Sequence, residues 1–174
     1  MAYDINNIMA KESAMRDPKN VTEWKQQREM LRDYLIPIST AENVSVGEIS
    51  GFCPYLIFVR LDALKREDWP NNIAANSIYI GFEIDLLNKK VEVHQSGHVY
   101  LSPYDKTTPK YKYLAMKSMQ DVLVDNGGKK FRKQGYKDMK DLANKMQKYY
   151  TQVMEAVIDY TGGYPYKQGT KQAE

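Results

Sequence analysis

The clearest pattern along the chain lies between residues 78 and 101. Ile78, Ile80, Phe82 and Ile84 alternate with Tyr79, Gly81, Glu83 and Asp85, the two-residue period of a strand with one buried face. Val91 and Val93 alternate with Glu92 and His94, and Val99 and Leu101 with His98 and Tyr100. Leu86 to Lys89 makes the first turn between these runs, with Asn88 suited to a left-handed conformation. Gln95-Ser96-Gly97 makes the second, a three-residue hairpin loop with Gly at the left-handed position. Upstream, Tyr55 to Leu61 is apolar on both faces, which predicts a covered central strand, and Val44, Val46 and Ile49 predict a shorter one.

Helical periods flank the strands. Trp24, Arg28, Leu31 and Leu35 predict a helix over 21–35, with Asn20 as N-cap, Glu23 at the capping-box position and Pro37 as the stop. Thr108-Pro109 opens a second helix reaching about Asp125, and Asn126-Gly127-Gly128 ends it. Asp138 caps a third, to about Tyr160, whose core face carries Met139, Leu142, Met146, Tyr150, Val153, Met154 and Val157. Gly162-Gly163 stops that one. Residues 1–16 read as an N-terminal arm in which Ile5, Ile8, Met9 and Met15 form a short amphipathic stretch, broken at Asp17-Pro18. Residues 17–163 form one domain and 164–174 a polar tail. Strands followed by helices predict an α+β fold: an antiparallel sheet of about five strands with an N-terminal helix and two C-terminal helices packed on it.

The predicted loop lengths fix a register. The three-residue loop sets Val93 against Val99 and Val91 against Leu101, and so His94 against His98. Pairing Asp85 with Lys90 sets Glu83 against Glu92 and Gly81 against His94. Glu83, Glu92, His94 and His98 then share the polar face, a candidate divalent-metal site or acid–base pair for a metal-dependent enzyme. The competing reading is an ordinary solvated sheet face, and no established metal-ligand spacing favours the first. No catalytic residue and no cofactor is expected.

Charge adds a second candidate. Residues 106–148 hold 12 basic side chains against 4 acidic ones, while the rest of the chain is net acidic. Lys129, Lys130, Arg132 and Lys133 surround Phe131, and Lys137, Lys140, Lys145 and Lys148 continue along the next helix. Such a segment suits nucleic-acid phosphates or an acidic partner, with aromatics available to stack, and so a nucleic-acid-binding accessory or a host-defence inhibitor using residues 106–148; the plain alternative is a solvated basic face. Gly128-Lys129 lacks the upstream Gly and the following Ser/Thr of a P-loop. The single cysteine, Cys53, excludes an intrachain disulfide and four-cysteine zinc sites. The first residues contain no apolar core of a signal peptide, and no stretch is apolar enough to span a membrane. The expected location is a virion or the host cytoplasm.

Tyrosine outnumbers phenylalanine 14 to 4, and nine methionines accompany it. Both residue types suit half-wet, adaptable contact surfaces as well as a small core. The segments SIYIGFEIDLLNKKVEVHQSGHVYLSP, YLAMKSMQDVL and YYTQVMEAVIDYTGGYPY, with the N-terminal arm, resemble small proteins of tailed bacteriophages of the crAss-like group. The element order is similar to that of head–tail connector and tail-terminator proteins, which form rings at the phage neck. The resemblance implies a non-enzymatic virion protein in a homo-oligomeric ring, with Ile5, Ile8, Met9, Tyr164 and Tyr166 touching neighbouring subunits. It carries over no catalytic residue.

Overall fold

The computed structural model describes residues 4–50, 53–63, 78–100 and 116–160. Two helices come first, α1 (Ile5–Arg16) and α2 (Pro18–Ile38), then strands β1 (Asn43–Glu48), β2 (Leu56–Asp62), β3 (Tyr79–Asp85), β4 (Lys90–Ser96), β5 (His98–Tyr100) and β6 (Met116–Ser118). α3 (Met119–Asp125), the short β7 (Gln134–Gly135) and α4 (Met139–Tyr160) complete the described chain. The main sheet has the order β1-β2-β3-β4-β7 with antiparallel neighbours throughout, and β5 pairs with β6 in a second, two-stranded sheet. The α+β fold with an antiparallel five-stranded sheet is therefore as the sequence predicts.

One core explains the layering. Ile57, Val59 and Leu61 of β2 and Ile80, Phe82 and Ile84 of β3 are fully buried and join one apolar cluster with Trp24, Leu31 and Leu35 of α2. α4 supplies Leu142, Met146, Tyr150, Val153 and Val157 to the same cluster, and Met154 lies at its margin. α2 and α4 pack on each other as well as on this core. Alternation along β2 and β3 leaves Leu56, Phe58, Arg60, Asp62, Tyr79, Glu83 and Asp85 half-buried on the opposite face.

Most of the local signals that act within a few residues hold, and two at the ends of α2 do not. Asp138 Oδ1 accepts the Asp141 N–H at 2.8 Å and caps α4. α3 ends in a Schellman motif: the Gly128 N–H donates to Leu123 O at 2.9 Å and the Gly127 N–H to Val124 O at 3.1 Å, with Gly127 at φ +90°. Asp17-Pro18 does divide α1 from α2, because the Asp17 N–H closes onto Ala14 O while its side chain accepts the Lys19 N–H. Asp17 is thus the N-cap expected at Asn20, with Pro18 in the first turn, and Asn20 instead donates from Nδ2 to Ala14 O at 3.2 Å. Pro37 sits inside the last turn of α2, where its missing N–H removes a single bond and the helix continues to Ile38.

Three further expectations are corrected. Residues 116–118 are extended, so α3 starts at Met119 with Ser118 as N-cap, not at Pro109; Thr108 and Pro109 lie outside the described residues. In the β3–β4 turn the positive φ falls on Lys89 (+53°) and not on Asn88. Asp85 accepts from the Leu87 and Asn88 N–H groups and from Asn88 Nδ2, which ties Asn88 down and passes the left-handed conformation to its neighbour. The third correction concerns the second hairpin. β4 does not turn back at Gln95 but keeps pairing with β3 as far as Ser96, opposite Ile80. The Gly97 N–H then donates to Tyr79 O, Gly97 O accepts from the Met119 N–H, and β5 leaves to pair with β6.

Candidate functional site

The outer face of the main sheet carries the residues singled out for metal or acid–base chemistry. Asp85 pairs with Lys90 and Glu83 with Glu92, as the turn length predicts. Beyond them the register shifts. Phe82 faces Val93 but Gly81 faces Gln95, so His94 is the extra residue of a bulge and does not oppose Gly81. His94 Nδ1 lies 3.2 Å from Glu83 Oε2. His98 is in the other sheet, opposite Ser118, so the two histidines are not cross-strand partners. Among the described residues no group of three or more His, Cys, Asp and Glu side chains is placed to hold a metal ion. The four-residue constellation reduces to one His–Glu contact.

The same face shows contacts that the sequence did not announce. Phe58 lies across Gly81: a Cβ there would sit 2.6 Å from Phe58 Cζ, so the ring occupies the space of the missing side chain. The ring also meets His94 edge-on, with centroids 6.1 Å apart. Arg60 stacks its guanidinium 3.7 Å from the Tyr79 ring centroid and keeps Nε 3.3 Å from Asp62 Oδ2. Arg60 is thus matched by both an acid and a ring.

The basic segment is organised differently. Phe131 is half-buried and turned inward, edge-on to Phe82 at 5.6 Å and to Tyr149 at 5.1 Å. It is an anchor for the loop and not a stacking platform. β7 fixes the far end of the loop by pairing Gln134 with Val91 and Gly135 with Lys90. Lys145 Nζ adds a bond to Gly135 O at 3.0 Å. Lys129, Lys130, Arg132, Lys133 and Lys137 are all exposed. Lys129, Lys130 and Arg132 join Lys145, Lys148, Gln134 and Gln152 around a groove of about 430 Å³ floored by Phe131 and Tyr149. Lys133 turns away to a small hollow with Glu83, Asp85 and Glu92, and the Lys137 N–H bonds to Asp141 Oδ2. That bond and the Lys145 ammonium hold the Asp141 carboxyl below the ordinary range. Asp121 is lowered likewise, first by the Ser118 hydroxyl and then by Lys130.

A third surface is apolar. None of the residues of α1 is buried, and Ile5, Ile8 and Met9 are 65%, 47% and 63% exposed. Their spacing puts them on one side of the helix. Only the end of α1 reaches the core, where Ala14 and Met15 pack against it. On α2, the exposed Met30, Tyr34 and Ile38 recur every four residues, beside the buried line of Trp24, Leu31 and Leu35. The sequence carried this signal in that spacing, but the core-facing period of the same helix masks it. Tyr164 and Tyr166 lie outside the described residues.

Among the described residues no helix is long and apolar enough to cross a membrane. No family model matches the chain, and no curated protein or solved structure is found to be similar to it.

Proposed function

We propose that this protein is a non-enzymatic assembly component of a phage virion, of the neck or ring type, that works through contacts between copies of its own chain and with other virion proteins. The observation that carries the reading is α1, a helix with three large apolar side chains on one side and no buried residue. A 12-residue helix is marginal in water without packing, so such a helix is made to be covered. The strip of Met30, Tyr34 and Ile38 on α2 is a matching apolar surface of different shape and sequence.

Arm onto strip is a head-to-tail contact, in which each subunit gives one surface and receives the other. Contacts of that kind close into rings or run on as filaments. Burying what remains exposed of Ile5, Ile8 and Met9 is worth roughly 3–5 kcal/mol, against an association cost of about 4–15 kcal/mol. A single arm contact is therefore weak, and closure of a ring, where every subunit makes two contacts, gives it strength.

Light scattering on the full chain across a concentration series tests this. The expected result is a defined oligomer that an Ile5→Ser/Ile8→Ser/Met9→Ser variant reduces to a monomer that still unfolds cooperatively. A monomeric parent protein, or a variant that keeps the parent's mass, contradicts it.

A further inference from the structure

Beyond assembly, we propose that the groove between residues 129–134 and α4 is a binding site for the phosphate backbone of nucleic acid, one that reads charge and not bases. No carboxylate lines this groove among the described residues. Lys130 and Lys145 are paired with Asp121 and Asp141, both outside the lining. Lys129, Arg132 and Lys148 carry no ion pair among the described residues. Three unspent cations facing one trough contrast with the sheet's outer face, where Arg60 is already matched by Asp62 and Tyr79.

The shape of the groove selects the ligand. Its walls are preset: Phe131 pins the loop to the core, β7 pairs it to β4, and Lys145 holds Gly135 from the helix side. Little ordering remains to be done on binding. The floor offers little ring surface, since Tyr149 is 4% exposed with its hydroxyl donating to Gln120 Oε1 and Phe131 is half-buried against Phe82 and Tyr149. Bases find no platform there, which leaves phosphate oxygens as the partners of Arg132, the lysines and the amide groups of Gln134 and Gln152. From Lys145 to Gln152 the helix rises about 10 Å, the span of two or three successive phosphates.

Anisotropy of a short labelled single-stranded oligonucleotide, with a labelled duplex in parallel, tests the site on the full chain. With three phosphates neutralised, the logarithm of the binding constant should fall against the logarithm of salt with a slope of about −2 for the single strand and about −3 for the duplex. Lys129→Ala/Arg132→Ala/Lys148→Ala should weaken binding at low salt by at least about tenfold and flatten the slope toward zero. Arg132→Lys should keep the slope, and a control with Lys11, Lys19 and Lys25 changed to Ala should bind as the parent does. Melting temperatures confirm that each variant is folded. Absence of binding at low salt, binding indifferent to the triple change, saturation by inorganic phosphate alone, or equal binding of poly-glutamate each overturns the proposal.

Discussion

At the end of α3 two adjacent glycines do different jobs. Gly127 supplies the left-handed residue of the Schellman motif at φ +90°, with open space where a Cβ would be. Gly128 has no such backbone demand, but a Cβ there would sit 2.4 Å from Leu123 Cδ1 and 3.1 Å from Leu123 O. Gly127→Ala should therefore cost about 1 kcal/mol, the ordinary penalty of a positive φ. Gly128→Ala should cost more, about 1–3 kcal/mol, because buried Leu123 must move. Urea denaturation of the two single variants checks the order, and a reversed order would contradict this assignment of roles. Gly127 was legible in the sequence as a helix stop. Gly128 was not distinguishable from it, because its constraint is a packing contact with a side chain.

Among the elements, the junction of α1 and α2 turns on one side chain. Asp17 closes α1 with its backbone and opens α2 with its carboxylate, so the arm and the domain share a cap. Asp17→Ala should lower domain stability by about 1 kcal/mol, the usual worth of an N-cap. Asp17→Asn, which keeps the acceptor oxygen, should restore most of it; chemical denaturation of both variants measures this. Equal losses would mean that the charge and not the cap matters. The strands make the complementary point. Alternation identified β2, β3 and β4 and the pairing of Glu83 with Glu92, but it did not reveal the bulge at His94 or the departure of β5. A two-residue period says which face a residue takes and nothing of which strand it pairs with.

For the molecule as a whole, buried tyrosines link stability to pH. Burial raises Tyr136, Tyr149 and Tyr150 above the ordinary phenol value, Tyr150 further by Asp62 and Glu42 and Tyr136 by Asp85. The unfolded chain releases these protons from about pH 10 upward while the folded chain retains them. The unfolded state then binds fewer protons, so unfolding becomes more favourable as pH rises. The contribution is whole below about pH 10 and is lost as pH climbs through the folded values. Phenolate absorbance and circular dichroism recorded together should show exposed tyrosines ionising first and the buried ones ionising only as the fold is lost. Full ionisation with an unchanged dichroism spectrum would contradict it.

By itself the sequence determined what depends on neighbours within a few positions. That covers the core faces of α2 and α4, the alternating strands, the Asp138 cap, the stop at Asn126-Gly127-Gly128 and the exposed apolar residues of α1. Dihedral preference, side-chain period and capping are local, so they are written in order along the chain. The tertiary structure alone decided where β4 ends, that His94 and His98 part, that Phe131 points inward, and that a basic loop and a face of the following helix form one trough without an acid. Those outcomes are settled by competition among distant hydrogen-bonding edges and apolar surfaces, and that competition is resolved when the layers pack.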